Sequence, residues 1–210
     1  MKNYSITSSV VLREGIAILN GKEFLHTPGT DVSSFCKELY RTLKTDYSKF
    51  FKMDNLCKLA FISAELLLKD HSIAAFQSDE VALVFSNASA SLDTDKSYYG
   101  SVEDKSNYFP SPAVFVYTLP NIMMGELCIR HKLLGENTFF ISEKFDAELI
   151  SGYTTQLLNS AKAKCVIAGW IEVGEKNWEA ALFLIEQSDE RENQLLSPAA
   201  MEEIFRSSFR

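Results

Sequence analysis

The residues best equipped for chemistry lie between positions 135 and 152, Gly-Glu-Asn-Thr-Phe-Phe-Ile-Ser-Glu-Lys-Phe-Asp-Ala-Glu-Leu-Ile-Ser-Gly. A strand over 138–141 leads into Ser142, Glu143 and Lys144, and an amphipathic helix follows from Asp146. Lys144 next to a helix start has two fates. Buried, it loses its proton and becomes a nucleophile or base. Exposed, it is an ordinary lysine paired with neighbouring carboxylates. The positive helix end disfavours an ammonium, and Glu143, Asp146 and Glu148 would restore it. Those carboxylates read more simply as first-turn helix residues than as a general acid–base pair. Ser142 has no identifiable histidine partner, and no Gly-x-Ser-x-Gly is present. His26, His71 and His131 stand apart from one another and read as solvated or locally paired side chains.

Metal and cofactor chemistry finds no purchase in the pattern. Cys36, Cys57, Cys128 and Cys165 form no Cys-x-x-Cys pair, and no histidine sits at ligand spacing. They read as structural thiols, since free cysteine in an apolar run behaves as a small buried hydrophobe. No glycine-rich phosphate loop follows a strand. The expectation is therefore no metal and no cofactor. Met123 and Met124 read as core or interface filler.

The elements that must position these residues alternate. Residues 5–12 and 16–19 read as extended, with Glu14-Gly15 as a turn or bulge between them. A helix from about Asp31 carries Val32, Phe35, Leu39, Tyr40 and Leu43 on one stripe. A second starts near Asp54 and turns Leu56, Leu59, Ala60, Ser63, Leu66 and Leu67 inward. Residues 81–85 form a continuous apolar run, as a strand buried on both faces would. The segment 86–112 is the longest irregular stretch, polar and carrying Gly100 and two prolines. Pro120 suits the first turn of a third helix that runs to about Lys132 and is stopped by Gly135. After the 146–161 helix come strands over 165–171 and 180–185, and Ser197-Pro198 opens a closing helix through Phe205. Strands alternating with helices predict a single α/β layered domain over 1–210, with a mixed sheet of about five strands.

Composition narrows the partners. Hydrophobic content of 46% and charged content of 23% are ordinary globular values. A net charge of −7 argues against nucleic acid and against an anionic membrane surface. It also weighs against an acidic carrier protein unless basic residues cluster on one face. No signal peptide opens the chain, and the apolar region around 113–129 is broken by Pro120, Asn121, Gly125 and Glu126. No membrane span and a cytoplasmic location are expected.

The 135–152 stretch resembles the nucleophile turn of β-ketoacyl synthases, the thiolase-like condensing enzymes of fatty-acid and polyketide synthesis. In that family a Gly-Pro-Asn opens a strand, a Ser-Ala-Cys ends it, and a helix starts at the cysteine. Nine residues on from Gly135 the same count falls on Lys144. Ser142 fits its place, Glu143 stands where a small residue is usual, and the thiol is gone. Other segments follow in the family's order. Lys52-Met53-Asp54 and the next helix look like its Arg-Met-Asp; 81–91 and 92–99 are similar to its strand, loop and helix. Residues 115–125 resemble its Leu-Pro-Asn helix. Residues 165–172 look like its strand ending in Ala-Gly-Gly-x-Glu, with Trp170 in place of the second glycine, and 180–186 resemble the strand that closes its first half. The likeness covers roughly residues 50–186 and is poor over the first 45.

The resemblance implies the first of two similar α/β halves, without the two histidines and the lysine that the second half brings. It also implies that Phe145 adds bulk where an acyl chain would lie. In such domains the strand before the nucleophile pairs with a twofold mate, which here points to Asn137, Thr138, Phe139, Phe140, Ile141 and Ser142. Thr-Phe-Phe-Ile left unpaired would be an aggregation edge; otherwise it is a buried central strand of a monomer. Two readings of function follow. One is a non-catalytic ketosynthase-like subunit, a homodimer or a heterodimer with a full-length ketosynthase. It would support acyl-chain or acyl carrier protein binding in fatty-acid, polyketide or polyene synthesis. The other is an enzyme acting on acyl thioesters through Lys144, or with residues supplied by a partner chain.

Overall fold

The computed structural model describes residues 3–106, 108–175, 177–188 and 194–207. Its centre is an eight-stranded mixed sheet. The strands are β1 (Tyr4–Arg13), β2 (Ile16–Leu19), β3 (Lys22–His26), β4 (Val81–Asn87), β5 (Asn137–Ile141), β6 (Cys165–Val173), β7 (Trp178–Gln187) and β8 (Gln194–Leu195). Their order is β3-β2-β1-β7-β6-β4-β5, with β8 paired to the start of β1. β4 runs parallel to β5 and β6, and the other pairs are antiparallel. The sheet exceeds the roughly five strands expected chiefly through β3 and β8, whereas residues 16–19, read as extended, are β2. Lys22–His26 is charged and half-exposed, so it lacks the alternation that marks a strand in sequence.

The helices are α1 (Val32–Thr42), α2 (Asn55–Leu67), α3 (Leu92–Tyr99), α4 (Pro112–Phe115), α5 (Ile122–His131), α6 (Ala147–Asn159) and α7 (Pro198–Ser207). The segment read as irregular from its composition thus contains α3, where the resemblance implied a helix, and the start of α4. Asp31, Asp54 and Asp146 each accept a hydrogen bond from the amide three residues on and cap α1, α2 and α6.

Alternation along the strands builds two cores. Val81, Leu83 and Phe85 of β4, with Ile167 of β6 and Leu182 of β7, face α1, α2 and α5. Ala82, Val84, Val166, Ala168 and Phe183 face α6 and α7. α2 is buried at every position but Asn55 and Glu65. It is therefore the centre of its layer rather than a one-sided surface helix. At β6–β7 the backbones approach so closely that a Cβ on Gly169 (φ +154°) would stand 1.9 Å from the Ala181 carbonyl oxygen. Cys36, Cys57 and Cys165 are buried and Cys128 half-buried, all as free thiols. Burial raises the pKa of each, which holds them as inert thiols.

Candidate functional site

Three connections meet at the C-terminal ends of the parallel strands: the turn after β4, the turn after β5, and the β6–β7 hairpin. The first is closed by Asn87, whose side-chain amide donates to the Ala90 carbonyl and accepts from the Ala90 N–H, both at 2.9 Å. The second is tied to it by Ser142 N–H donating to the Asn87 carbonyl at 2.9 Å. Glu172, at the end of β6 and 6% exposed, joins the third. Its Oε2 accepts from the Ala88 and Ser89 amides at 2.7 and 3.1 Å. In an acyl-transfer site such paired amides serve an oxyanion; here a carboxylate already occupies both.

Between these turns lies a cleft of about 460 Å³, lined by Glu143, Lys144, Glu172, Glu175 and Glu179 among others. Lys144 is exposed and makes no ion pair with any described residue. The expected pairing with Glu143, Asp146 or Glu148 is therefore absent. Asp146 is engaged as the α6 cap, accepting from Leu149 N–H at 2.9 Å, and Glu148 lies in the first helical turn. α6 begins at Ala147, so Lys144 stands on the turn before the helix rather than on its end. The described lining holds neither a thiol nor an imidazole.

Phe145 lines the cleft while lying almost wholly inside the protein. It is buried in the second core, with its ring 4.6 Å from Phe205 of α7 and 6.0 Å from Phe183. Trp170 is buried and donates its indole N–H to Glu179 Oε1 at 3.0 Å, while Glu179 Oε2 lies 3.2 Å from Arg13 Nη2. The Arg13 guanidinium in turn covers the Phe205 ring at 4.2 Å. Burial lowers the Arg13 pKa from its usual value, with Glu179 opposing the shift. Sequence reasoning missed this Arg13–Glu179–Trp170–Phe205 clasp, whose members lie on four separate elements.

The histidines are elsewhere. His26 sits 3.5 Å from Glu23 and His131 3.3 Å from Glu65. His71 and His131 line a separate cavity of about 600 Å³ at the other end of β4. There Arg130 makes two hydrogen bonds to Glu65, at 2.9 and 3.0 Å. Among the described residues no group of histidine, cysteine and carboxylate side chains is placed to hold a metal ion. No described helix is long and apolar enough to cross a membrane.

β5 forms an edge of the sheet, not a central strand. Leu83 N–H donates to the Glu136 carbonyl and Ser142 N–H to Asn87, so even-numbered residues turn their backbone groups to β4. In a parallel pair the alternate residues, Asn137, Phe139 and Ile141, then turn theirs outward. The opposite edge, β3, carries Lys22, Glu23 and His26 and is guarded by charge. β5 has no charged residue between Asn137 and Ile141.

No protein-family model and no curated protein matches the sequence. Solved structures do match the fold. The ishigamide ketosynthase/chain length factor aligns with a TM-score of 0.67 at 18% identity, over 91% of this chain and 64% of that one. A type II polyketide synthase acyl-carrier protein in complex with its ketosynthase gives 0.59 at 13%, over 89% and 63%. A ketosynthase in complex with its chain length factor from Xenorhabdus doucetiae gives 0.56 at 15%, over 98% and 91%. The chain thus has the ketosynthase, thiolase-like fold, and it spans less than two thirds of the first two matched chains.

Proposed function

We propose that this ketosynthase-fold chain is a non-catalytic subunit that pairs through β5 with a full-length ketosynthase and helps shape acyl-chain binding in polyketide-type synthesis. The observation that supports it is a juxtaposition. β5 is an open, uncharged sheet edge, and it runs directly into a turn that carries Lys144 in place of a nucleophilic thiol. The solved structures of similar fold include a ketosynthase with its chain length factor and a ketosynthase with its carrier protein, which is the setting the reading borrows. Four carboxylates line the cleft, so an acidic carrier protein is better received by the partner than here.

Native mass spectrometry of the protein isolated from its own cells tests this reading. A complex with a larger ketosynthase is expected. A chain found only as monomer, or only with itself, overturns the pairing. The enzymatic alternative through Lys144 has its own check: if Lys144→Ala abolished a measured acyl-thioester turnover while folding and assembly stayed intact, the non-catalytic reading would fail.

A further inference from the structure

Of the four carboxylates that line the cleft, three are accounted for. Glu179 is met by Arg13 and by the Trp170 indole. Glu175 is paired with Lys96. Glu143 is exposed, where water serves a carboxylate. Glu172 is the exception. It is buried, and its Oε2 takes the Ala88 and Ser89 amides. Its Oε1 is buried too and has no hydrogen-bond partner among the described residues. Buried charges are as a rule paired, and an orphaned oxygen on one calls for a partner.

That oxygen faces the cleft. A Cβ on Gly174 would stand 2.9 Å from Asn177 Oδ1, 3.4 Å from the Asn177 carbonyl oxygen and 3.6 Å from Glu172 Oε1. Three acceptors thus gather round one point, and Glu172, Gly174 and Asn177 all line the cleft. The Asn177 carbonyl already accepts from Gly174 N–H at 2.9 Å, which closes the hairpin and leaves it a second lone pair. Any side chain at position 174 would fill this space.

Three acceptors beside one unmatched negative charge suit a primary ammonium. It carries three N–H donors on a single charged nitrogen and bonds carboxylate oxygens at about 2.7–2.9 Å. A divalent metal ion fits less well, because among the described residues no group of carboxylate, histidine or cysteine side chains is placed to hold one. The rest of the cleft, about 460 Å³ in all, offers Phe145, Trp170 and Phe205 as aromatic wall for a compact apolar body. Lys144 is the one cation of the described lining, and it pairs with none of these carboxylates.

The geometry points to a binding site for a small primary amine, with its ammonium held by Glu172 and Asn177 and its apolar body laid along the aromatic wall. The site is built from this chain's own residues, so it stands or falls apart from the pairing through β5.

Both tryptophans of the chain report on it, since Trp170 lines the cleft and Trp178 follows Asn177. Benzylamine is titrated into the full chain, followed by tryptophan fluorescence and by ligand-observed NMR. Saturable binding is expected. Benzyl alcohol, which lacks the charge, and tetramethylammonium, which lacks N–H donors, are expected not to bind. Glu172→Gln removes the charge while keeping an oxygen for the Ala88 and Ser89 amides, and is expected to weaken binding by about tenfold or more. Asn177→Ala, at an exposed position, is expected to keep the melting temperature and weaken binding by about threefold or more. If Glu172→Gln fails to fold, Asn177→Ala decides. Lys144→Ala removes a like charge and is expected to bind benzylamine at least as well as the wild type. Absence of saturable binding to the wild type overturns the site, as does tetramethylammonium binding equally well or affinity unchanged in both variants. Binding confined to Lys144→Ala also overturns it, because the chain's own lysine is then the occupant. Potassium ions displacing benzylamine at equal concentration overturn the choice of an amine.

Discussion

Lys144 shows how the residue type beside a helix start decides what a turn can do. A thiol at the start of a helix gains acidity from the dipole and the backbone amides. An ammonium gains nothing there, and here it stands on an exposed turn three residues before α6. Lys144→Ala is expected to change unfolding free energy by less than about 0.5 kcal/mol, as for a surface substitution away from any special feature. Chemical denaturation checks this, and intact mass after incubation with an acyl thioester is expected to show no adduct on the wild-type chain. Gly169 behaves oppositely. A methyl there meets the Ala181 carbonyl oxygen at 1.9 Å, so Gly169→Ala must push β6 and β7 apart. The expected cost is about 3 kcal/mol or more, in the range of overpacking with added backbone strain, read as a drop in the denaturation midpoint. Ser142, Glu143 and Lys144 could be singled out from sequence because their spacing from Gly135 is local. The capture of the Ala88 and Ser89 amides by Glu172 could not, because those residues are more than 80 positions apart.

At the scale of elements, α2 and α5 are joined by the Glu65–Arg130–His131 group. Burial pushes the Glu65 carboxyl up, but the His131 imidazole 3.3 Å away and the two hydrogen bonds from Arg130 outweigh it and hold its pKa below the usual value. A carboxyl whose folded pKa is depressed stabilises the fold above its unfolded pKa, near about 4.3. That contribution is lost as pH falls through the folded pKa. Glu65→Gln is therefore expected to flatten the acid limb of stability below about pH 4.3. Glu65→Ala is expected to cost about 1.5–3 kcal/mol at neutral pH, the range for hydrogen bonds to charged groups. Thermal melts across pH for both variants check the pair. The excursion between β4 and α5 belongs to this scale too. Its polar composition suggested a long loop, yet Asp54 and Glu126 hold it from other elements, a tertiary contact that overrides weak local propensity.

For the whole molecule, the two sheet edges differ in kind. β3 is charged, and β5 carries Thr138, Phe139, Phe140 and Ile141 at a half-open edge. Held without a partner, the chain is expected to self-associate as concentration rises, and Asn137→Pro with Ile141→Pro is expected to suppress that association. Light scattering over a concentration series distinguishes the two. The second core has its own cover: Ala200 and Met201 of α7 are buried there, and Phe205 packs on Phe145. The closing helix is legible in the sequence from its amphipathic pattern, but its docking place on this face is not.

The sequence alone determined what period and local spacing can encode: the α/β alternation, the buried runs of β4, β6 and β7, the aspartate caps, the order of ketosynthase-like segments and the place of Lys144 on the turn before α6. Hydrophobic period and capping chemistry act over a few residues, so they are written in consecutive positions. Only the tertiary structure decided that β5 is an edge, that the 92–119 excursion is fastened with its aromatics outward, and that Trp170, Glu179, Arg13 and Phe205 form one clasp. Strand order and side-chain partnership depend on contacts between residues far apart in the chain, and no local pattern of residue types specifies which distant element will arrive.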